Sequence, residues 1–144
     1  MTRAELVAEA RSWKATPWVH QASCKGAGAD CIGLNAGVAA ACGSEDAKRF
    51  LTSPEWRAYG EQPRPEFLLA GCAEFLDEVA LSDAIEGDIV LFYMGKKHPM
   101  HFAMLVGEGR MIHAYRPAQR VVEHELNDKW RRRIAKAFRL RELA

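Results

Sequence analysis

The sequence predicts an α+β fold in which N-terminal helices pack on a C-terminal antiparallel sheet of about five strands. Three observations carry this expectation. Helical spacing and capping residues dominate residues 3–80, short β-rich runs dominate after Gly87, and the gaps between those runs are too short for crossover helices. Parallel neighbours need a connection of a dozen or more residues, so closely spaced runs pair antiparallel. With 144 residues the chain has the length of one domain, and residues 1–144 are read as a single unit.

Residues 3–14 place Leu6, Ala10 and Trp13 on one stripe, and Thr16-Pro17 ends that helix. Residues 23–30 are small and flexible, with Gly26 and Gly28 leaving room, together with Gly33, for a substrate backbone. The nearly continuous apolar run from Cys31 to Cys42 has Asp30 at its N-cap and Gly43 at its end, which predicts a buried helix beginning at the cysteine. Residues 44–64, broken by Ser53-Pro54, Gly60 and Pro63, read as an irregular connection with a helical turn around Trp56. Pro65 then opens a helix that the spacing of Phe67, Leu68, Phe75, Leu76 and Val79 carries to about Ala80. The strands expected are residues 88–93, 101–106, 110–115, 120–124 and 134–141, with a helical turn over 126–132 before the last.

Charge and composition narrow the function. The chain has 20 basic and 19 acidic side chains, a net charge of +1, which provides no field to gather nucleic acid or an anionic membrane surface. No stretch approaches the roughly 20 apolar residues that span a bilayer, so no membrane insertion is expected. The N-terminus, Met1-Thr2-Arg3-Ala4-Glu5-Leu6, lacks the basic-then-apolar run of an export signal, which predicts synthesis in a cytoplasm. Basic residues cluster at the end (Lys129, Arg131, Arg132, Arg133, Lys136, Arg139, Arg141) and read as a solvated face. Cys24, Cys31, Cys42 and Cys72 form no C-x-x-C pair and are expected as reduced thiols, although Cys24 lies close enough to Cys31 in sequence to pair with it under oxidation. No metal or other cofactor is expected: His98-x-x-His101 in an extended segment points its rings to opposite faces.

What remains is a cysteine, a base and an orienting group. A thiol at a helix N-terminus meets unpaired N–H groups and the positive end of the macrodipole, which favour the thiolate and an oxyanion. Cys31 has that placement. His101 opens an apolar strand and His113 lies in the next one, so the two can meet if they share a face. A three-residue connection, Gly107-Glu108-Gly109, would pair Val106 with Arg110 and set Ala103 opposite His113, making the histidines diagonal neighbours about 7–8 Å apart at the backbone. A two-residue loop would separate them. His124 ends a polar segment and reads as surface, whereas Trp18 and His20, just upstream of the glycines, read as one wall of a cleft.

Taken together, Gly28-Ala29-Asp30-Cys31-Ile32-Gly33-Leu34, Glu86-Gly87-Asp88-Ile89-Val90-Leu91-Phe92, His101-Phe102-Ala103-Met104 and Met111-Ile112-His113-Ala114 resemble the NlpC-type cell-wall cysteine peptidases. The resemblance implies a papain-like α+β fold with Cys31 as nucleophile, His101 as base and His113 as its orienting partner. It implies a peptidoglycan stem peptide as substrate, cut between γ-D-glutamate and diaminopimelate, with Trp18, His20 and Asp30 near the substrate. Residues 16–23, Thr16-Pro17-Trp18-Val19-His20-Gln21-Ala22-Ser23, resemble the branch found in phage and gene transfer agent tails, which implies tail or hub proteins as partners and delivery by the particle. Ile32 stands where relatives commonly have serine, and Trp18 where they usually have tyrosine. Two other readings fit the same residues: a structural tail or hub protein with little turnover, and an acyltransferase or amidase on the same scaffold.

Overall fold

Caps and apolar stripes set the helices of the N-terminal half. In the computed structural model, which describes residues 1–60, 64–95 and 99–143, α1 spans Arg3–Ser12 and opens on a capping box: the Thr2 hydroxyl accepts the Glu5 N–H, and the Glu5 carboxylate accepts the Thr2 N–H. The glycine stretch is not loose, as expected from its composition, but folds into a small hairpin of β1 (Ser23–Cys24) and β2 (Gly28–Ala29). Helix α2 spans Cys31–Ala41, capped by Asp30 and followed by Gly43 at φ +98°. The expected irregular connection contains α3 (Glu45–Leu51) as well as α4 (Pro54–Ala58) around Trp56. Ser44 accepts the Ala47 N–H and Glu45 and Asp46 fill the first turn, a helix-start signature legible in the sequence.

Helix α5 (Pro65–Phe75) is shorter than the spacing predicts, because residues 76–79 turn into β3 (Leu76–Val79). Leu76 and Val79 fit a helical stripe and a strand equally well. What decides is the open edge of β8 (Ile134–Leu140), on which β3 pairs Leu76 with Leu140 and Val79 with Ala137. Ion pairs Lys136–Glu78 at 3.2 Å and Arg141–Asp77 at 3.2 Å reinforce that edge, so part of the basic C-terminal cluster is cross-strand pairing.

Among the described residues the main sheet therefore has six strands instead of about five. With β4 (Ile89–Tyr93), β5 (Pro99–Gly107), β6 (Arg110–Tyr115) and β7 (Arg120–Glu125), its order is β3-β8-β4-β5-β6-β7, every pair antiparallel. One face carries Ile89, Leu91, Phe102, Met104, Ile112 and Phe138 against Leu6, Ala10, Leu34 and Val38 of α1 and α2. The other carries Val90, Phe92, Ala103, Met111 and Ala137 against Leu126 and Trp130, the latter in the short α6 (Asp128–Arg131). Asp88, fully buried at the start of β4, ties the layers together by accepting from Arg3 at 3.0 Å and from Arg139 at 2.8 Å. Burial pushes the Asp88 carboxyl up, but Arg139, the Ile85 N–H and Arg3 outweigh it and hold it below its ordinary value.

The β5–β6 connection corrects one expectation and keeps its consequence. Gly107 pairs with Arg110 across a two-residue turn in which Glu108 and Gly109 have φ of +54° and +70°. That turn alone would put His101 and His113 on opposite faces. A register shift between Leu105 and Gly107 inserts Val106 as a bulge, so Leu105 pairs with Met111 and Met104 with Ile112. The extra residue restores the parity, and Ala103 falls opposite His113.

Candidate active site

Cys31 is the first residue of α2, and Asp30 fixes that start: extended at φ −99°, its Oδ1 accepts the Gly33 N–H at 2.7 Å. The backbone N–H groups of Phe102, one residue past His101 on β5, of Ile32 and of Cys31 itself pull the Cys31 thiol down. These contacts favour the thiolate, as the helix-start argument expects, but they lose. Burial first, and the Asp30 carboxylate second, push the Cys31 thiol up to about 12. The resting group is a neutral thiol with N–H donors already gathered around the sulfur.

Asp30 is itself buried, and its oxygens are engaged by the protein: beyond the Gly33 cap, Oδ2 accepts the Gln21 N–H at 2.8 Å and the Tyr59 hydroxyl at 2.6 Å. His20 Nδ1 stands 4.0 Å from the same oxygen, and its ring meets Tyr59 edge-on at 5.5 Å. Trp18 is half-buried, with the Arg116 guanidinium 5.0 Å from its ring centre. Two of the glycines do not leave room for a substrate backbone, because the chain itself fills the space. A Cβ on Gly33 would sit 1.9 Å from the Ala22 carbonyl, and one on Gly28 would sit 2.7 Å from the Val19 side chain. Among the described residues nothing lies within 4 Å of the corresponding position at Gly26.

His101 and His113 meet directly. His101 Nε2 lies 2.6 Å from His113 Nδ1, and the contact does not stop there: His113 Nε2 lies 2.8 Å from His124 Nε2, and His124 Nδ1 lies 2.7 Å from the Glu125 carbonyl. His124 is therefore not an isolated surface residue. It is half-buried and forms the third ring of a chain running across β5, β6 and β7. Its period-2 position facing His113 carries the signal, since His113 pairs with Val122, two residues earlier. Burial pushes His101 down to about 4, with the charge of His124 adding, and pushes His113 further down, with the charges of His101 and His124 adding.

The profile of the NlpC/P60 family matches residues 15–139, from the approach to Trp18 to the last strand. The chain belongs to the NlpC/P60 family.

Solved NlpC/P60 structures share the fold. An NlpC/P60 family protein from Bacillus cereus is similar over 97% of this chain at 22% identity and TM-score 0.68, and this chain spans only 40% of that protein. The NlpC/P60 domain of the peptidoglycan hydrolase SagA is similar at 22% identity and TM-score 0.64, over 97% of this chain and all of that one. RipD from Mycobacterium tuberculosis, described as a non-catalytic NlpC/P60 domain protein adapted to peptidoglycan binding, is similar at 15% identity and TM-score 0.60, over 99% of both chains. Among curated proteins, none matches. At these identities the neighbours establish the papain-like α+β architecture of this NlpC/P60 chain, while the site is read from its own residues.

Three features of the NlpC/P60 site were not legible from motifs. Trp130 packs against all three histidine rings, at 6.3, 5.1 and 5.5 Å from His101, His113 and His124, and Phe92 stacks on His101 at 6.2 Å. Tyr59 reaches Asp30 across 29 residues of chain. Asn35 donates from Nδ2 to the Cys31 carbonyl at 2.8 Å, leaving its buried Oδ1 without a partner among the described residues, at the wall of an apolar cavity of about 290 Å³ between α2, α3 and α5. Among the described residues no group of three or more His, Cys, Asp or Glu is arranged to hold a metal; His98 lies outside them. All four cysteines are free, with Cys24 exposed on the hairpin.

Proposed function

We propose that the chain is a cysteine peptidase that hydrolyses peptidoglycan stem peptides through an acyl-enzyme on Cys31. The observation that carries this reading is the direct His101–His113 contact at 2.6 Å, with His101 on the strand whose Phe102 N–H acts on the Cys31 thiol. In the proposed reaction His101 takes the thiol proton at Nδ1 as the sulfur attacks the scissile carbonyl, and the N–H groups of Cys31 and Ile32 at the helix start donate to the oxyanion. His113 orients His101, the proton passes to the leaving amine, and water then releases the acyl group. Because both buried groups rest neutral, proton transfer is coupled to attack and no ion pair is stored beforehand.

The family supports peptidoglycan as the substrate, and the resemblance in residues 28–34 and 101–115 supports the γ-D-glutamyl-diaminopimelate bond. Trp18, His20 and Asp30 belong to the substrate side of this proposal, Asp30 by setting Gln21 and Tyr59 in place. The resemblance in residues 16–23 supports a tail component of a phage-like particle or gene transfer agent that reaches the wall from outside, with other tail proteins as partners. A second reading, a wall-binding or structural module without turnover, is favoured by the high resting pKa of the thiol and by the existence of a non-catalytic neighbour. Incubation of Gram-negative muropeptides with the protein and with Cys31→Ala, followed by mass spectrometry, decides between them. Fragments ending in γ-D-glutamate from the first protein alone support the peptidase. Binding of sacculi without release by either supports the second reading.

A further inference from the structure

The histidine chain has one acceptor that cannot change its role. The Glu125 carbonyl lies 2.7 Å from His124 Nδ1, so that nitrogen must carry hydrogen. A neutral His124 therefore offers only the lone pair of Nε2, which accepts from His113 Nε2–H at 2.8 Å. His113 in turn has only Nδ1 as acceptor, and it receives His101 Nε2–H at 2.6 Å. One backbone carbonyl on β7 thus assigns the tautomers of three rings and leaves His101 Nδ1 as a lone pair.

The same chain conducts a proton. When His101 Nδ1 takes the proton from the Cys31 thiol, the Sγ–H bond breaks and an Nδ1–H bond forms. His101 Nε2–H then passes to His113 Nδ1, and His113 Nε2–H passes to His124 Nε2. The end state has His101 and His113 neutral, each with Nδ1–H, and His124 as the imidazolium, its two N–H groups on the Glu125 carbonyl and the His113 lone pair. No donor is lost and none is orphaned. The charge has moved from a site 8% exposed, past one fully buried, to a half-buried ring at the sheet surface. Water solvates a cation far better there than the packed rings of Phe92 and Tyr115 do around His101 and His113.

We propose that His124 is a positioning residue that holds the catalytic proton: the negative charge that develops as Cys31 attacks is balanced by an imidazolium on His124, reached through His113, instead of one on His101. This rests on the peptidase reading for its source of the proton but not for the wiring. The depressed basicity of His101 and His113 agrees with it, since a cation confined to either would be costly.

The wiring is tested without activity. In ¹⁵N-histidine-labelled Cys31→Ala protein, long-range ¹H–¹⁵N spectra identify which nitrogen of each ring carries hydrogen. At neutral pH the expected pattern is Nε2–H on His101 and His113 and Nδ1–H on His124. On acidification the first proton should make His124 doubly protonated while His101 and His113 both switch to Nδ1–H. An imidazolium that appears first on His101, with His113 and His124 unchanged, overturns the proposal. Kinetics on the otherwise intact protein then separate carrying from orienting. His124→Gln can accept from His113 Nε2–H and keep the resting tautomers, yet cannot hold the proton. Its kcat should fall at least about tenfold with KM unchanged, a part of the 10²–10⁴ that acid–base groups supply. A His124→Gln protein with resting tautomers intact and kcat at the original level reduces His124 to an orienting role and sinks the proposal. If no variant has activity on muropeptides, the peptidase reading fails while the spectra still decide the wiring.

Discussion

The Tyr59 hydroxyl donates to Asp30 Oδ2 at 2.6 Å, fastening the segment before α5 to the residue that starts the nucleophile helix. Asp30 has a second donor on the same oxygen, the Gln21 N–H, and the α2 cap on the other. Tyr59→Phe removes one bond to a buried carboxylate, which costs about 1.5–3 kcal/mol for charged partners. Urea unfolding should register that loss. Stability equal to the parent would mean that the Tyr59 contact contributes nothing in solution.

The thiols differ in how readily they react. Cys24 is exposed, whereas burial and Asp30 push Cys31 up to about 12. Iodoacetamide at pH 7.5 should alkylate Cys24 well ahead of Cys31, and the gap should narrow as pH rises, because only the thiolate attacks. Peptide mapping by mass spectrometry measures both rates. Faster labelling of Cys31 at neutral pH would show a preformed thiolate and reject the coupled proton transfer described above.

Stability should fall with acid in a defined window. Burial depresses His101 to about 4 and pushes His113 lower still, so the unfolded histidines, titrating near 6.5, bind protons that the folded ones refuse. The contribution is fully present above about pH 6.5 and is lost progressively as pH drops toward 4, by at most about 1.4 kcal/mol per pH unit for each histidine. Denaturant titrations at pH 7.5, 6 and 5 should show this slope, and His113→Asn should reduce it. An unchanged slope in that variant would place the acid sensitivity elsewhere.

Gly71 lies inside α5 on the cavity wall, and a Cβ there meets nothing within 4 Å among the described residues. Gly71→Leu removes a helix-interior glycine, a gain of about 0.8–1 kcal/mol, and buries part of a new side chain in the cavity. The melting temperature should rise with muropeptide cleavage retained. A lower melting temperature would indicate that α5 closes over the space in solution.

Much of the fold and half of the site are legible in residues that neighbour one another along the chain. Asp30-Cys31 with an apolar run and Gly43 specifies a capped helix that begins at the thiol, because caps and termini depend on a few adjacent residues. The strands of the C-terminal half are legible for the same reason, as alternation and turn residues act locally. The shared face of His101 and His113 followed from the chemistry they need, although the loop expected to achieve it was the wrong one.

What the sequence did not determine arises from contacts between distant segments. The Val106 bulge depends on how β5 and β6 settle against the layers on both sides, and β3 exists because β8 leaves an edge for it. Tyr59 reaches Asp30, and Trp130 reaches three histidines, only after the sheet has formed. The acidity of Cys31 follows the same logic. Its helix-start position argues for a thiolate, but desolvation, a product of packing, joins the adjacent Asp30 carboxylate in outweighing the donors there and sets the resting state as a thiol.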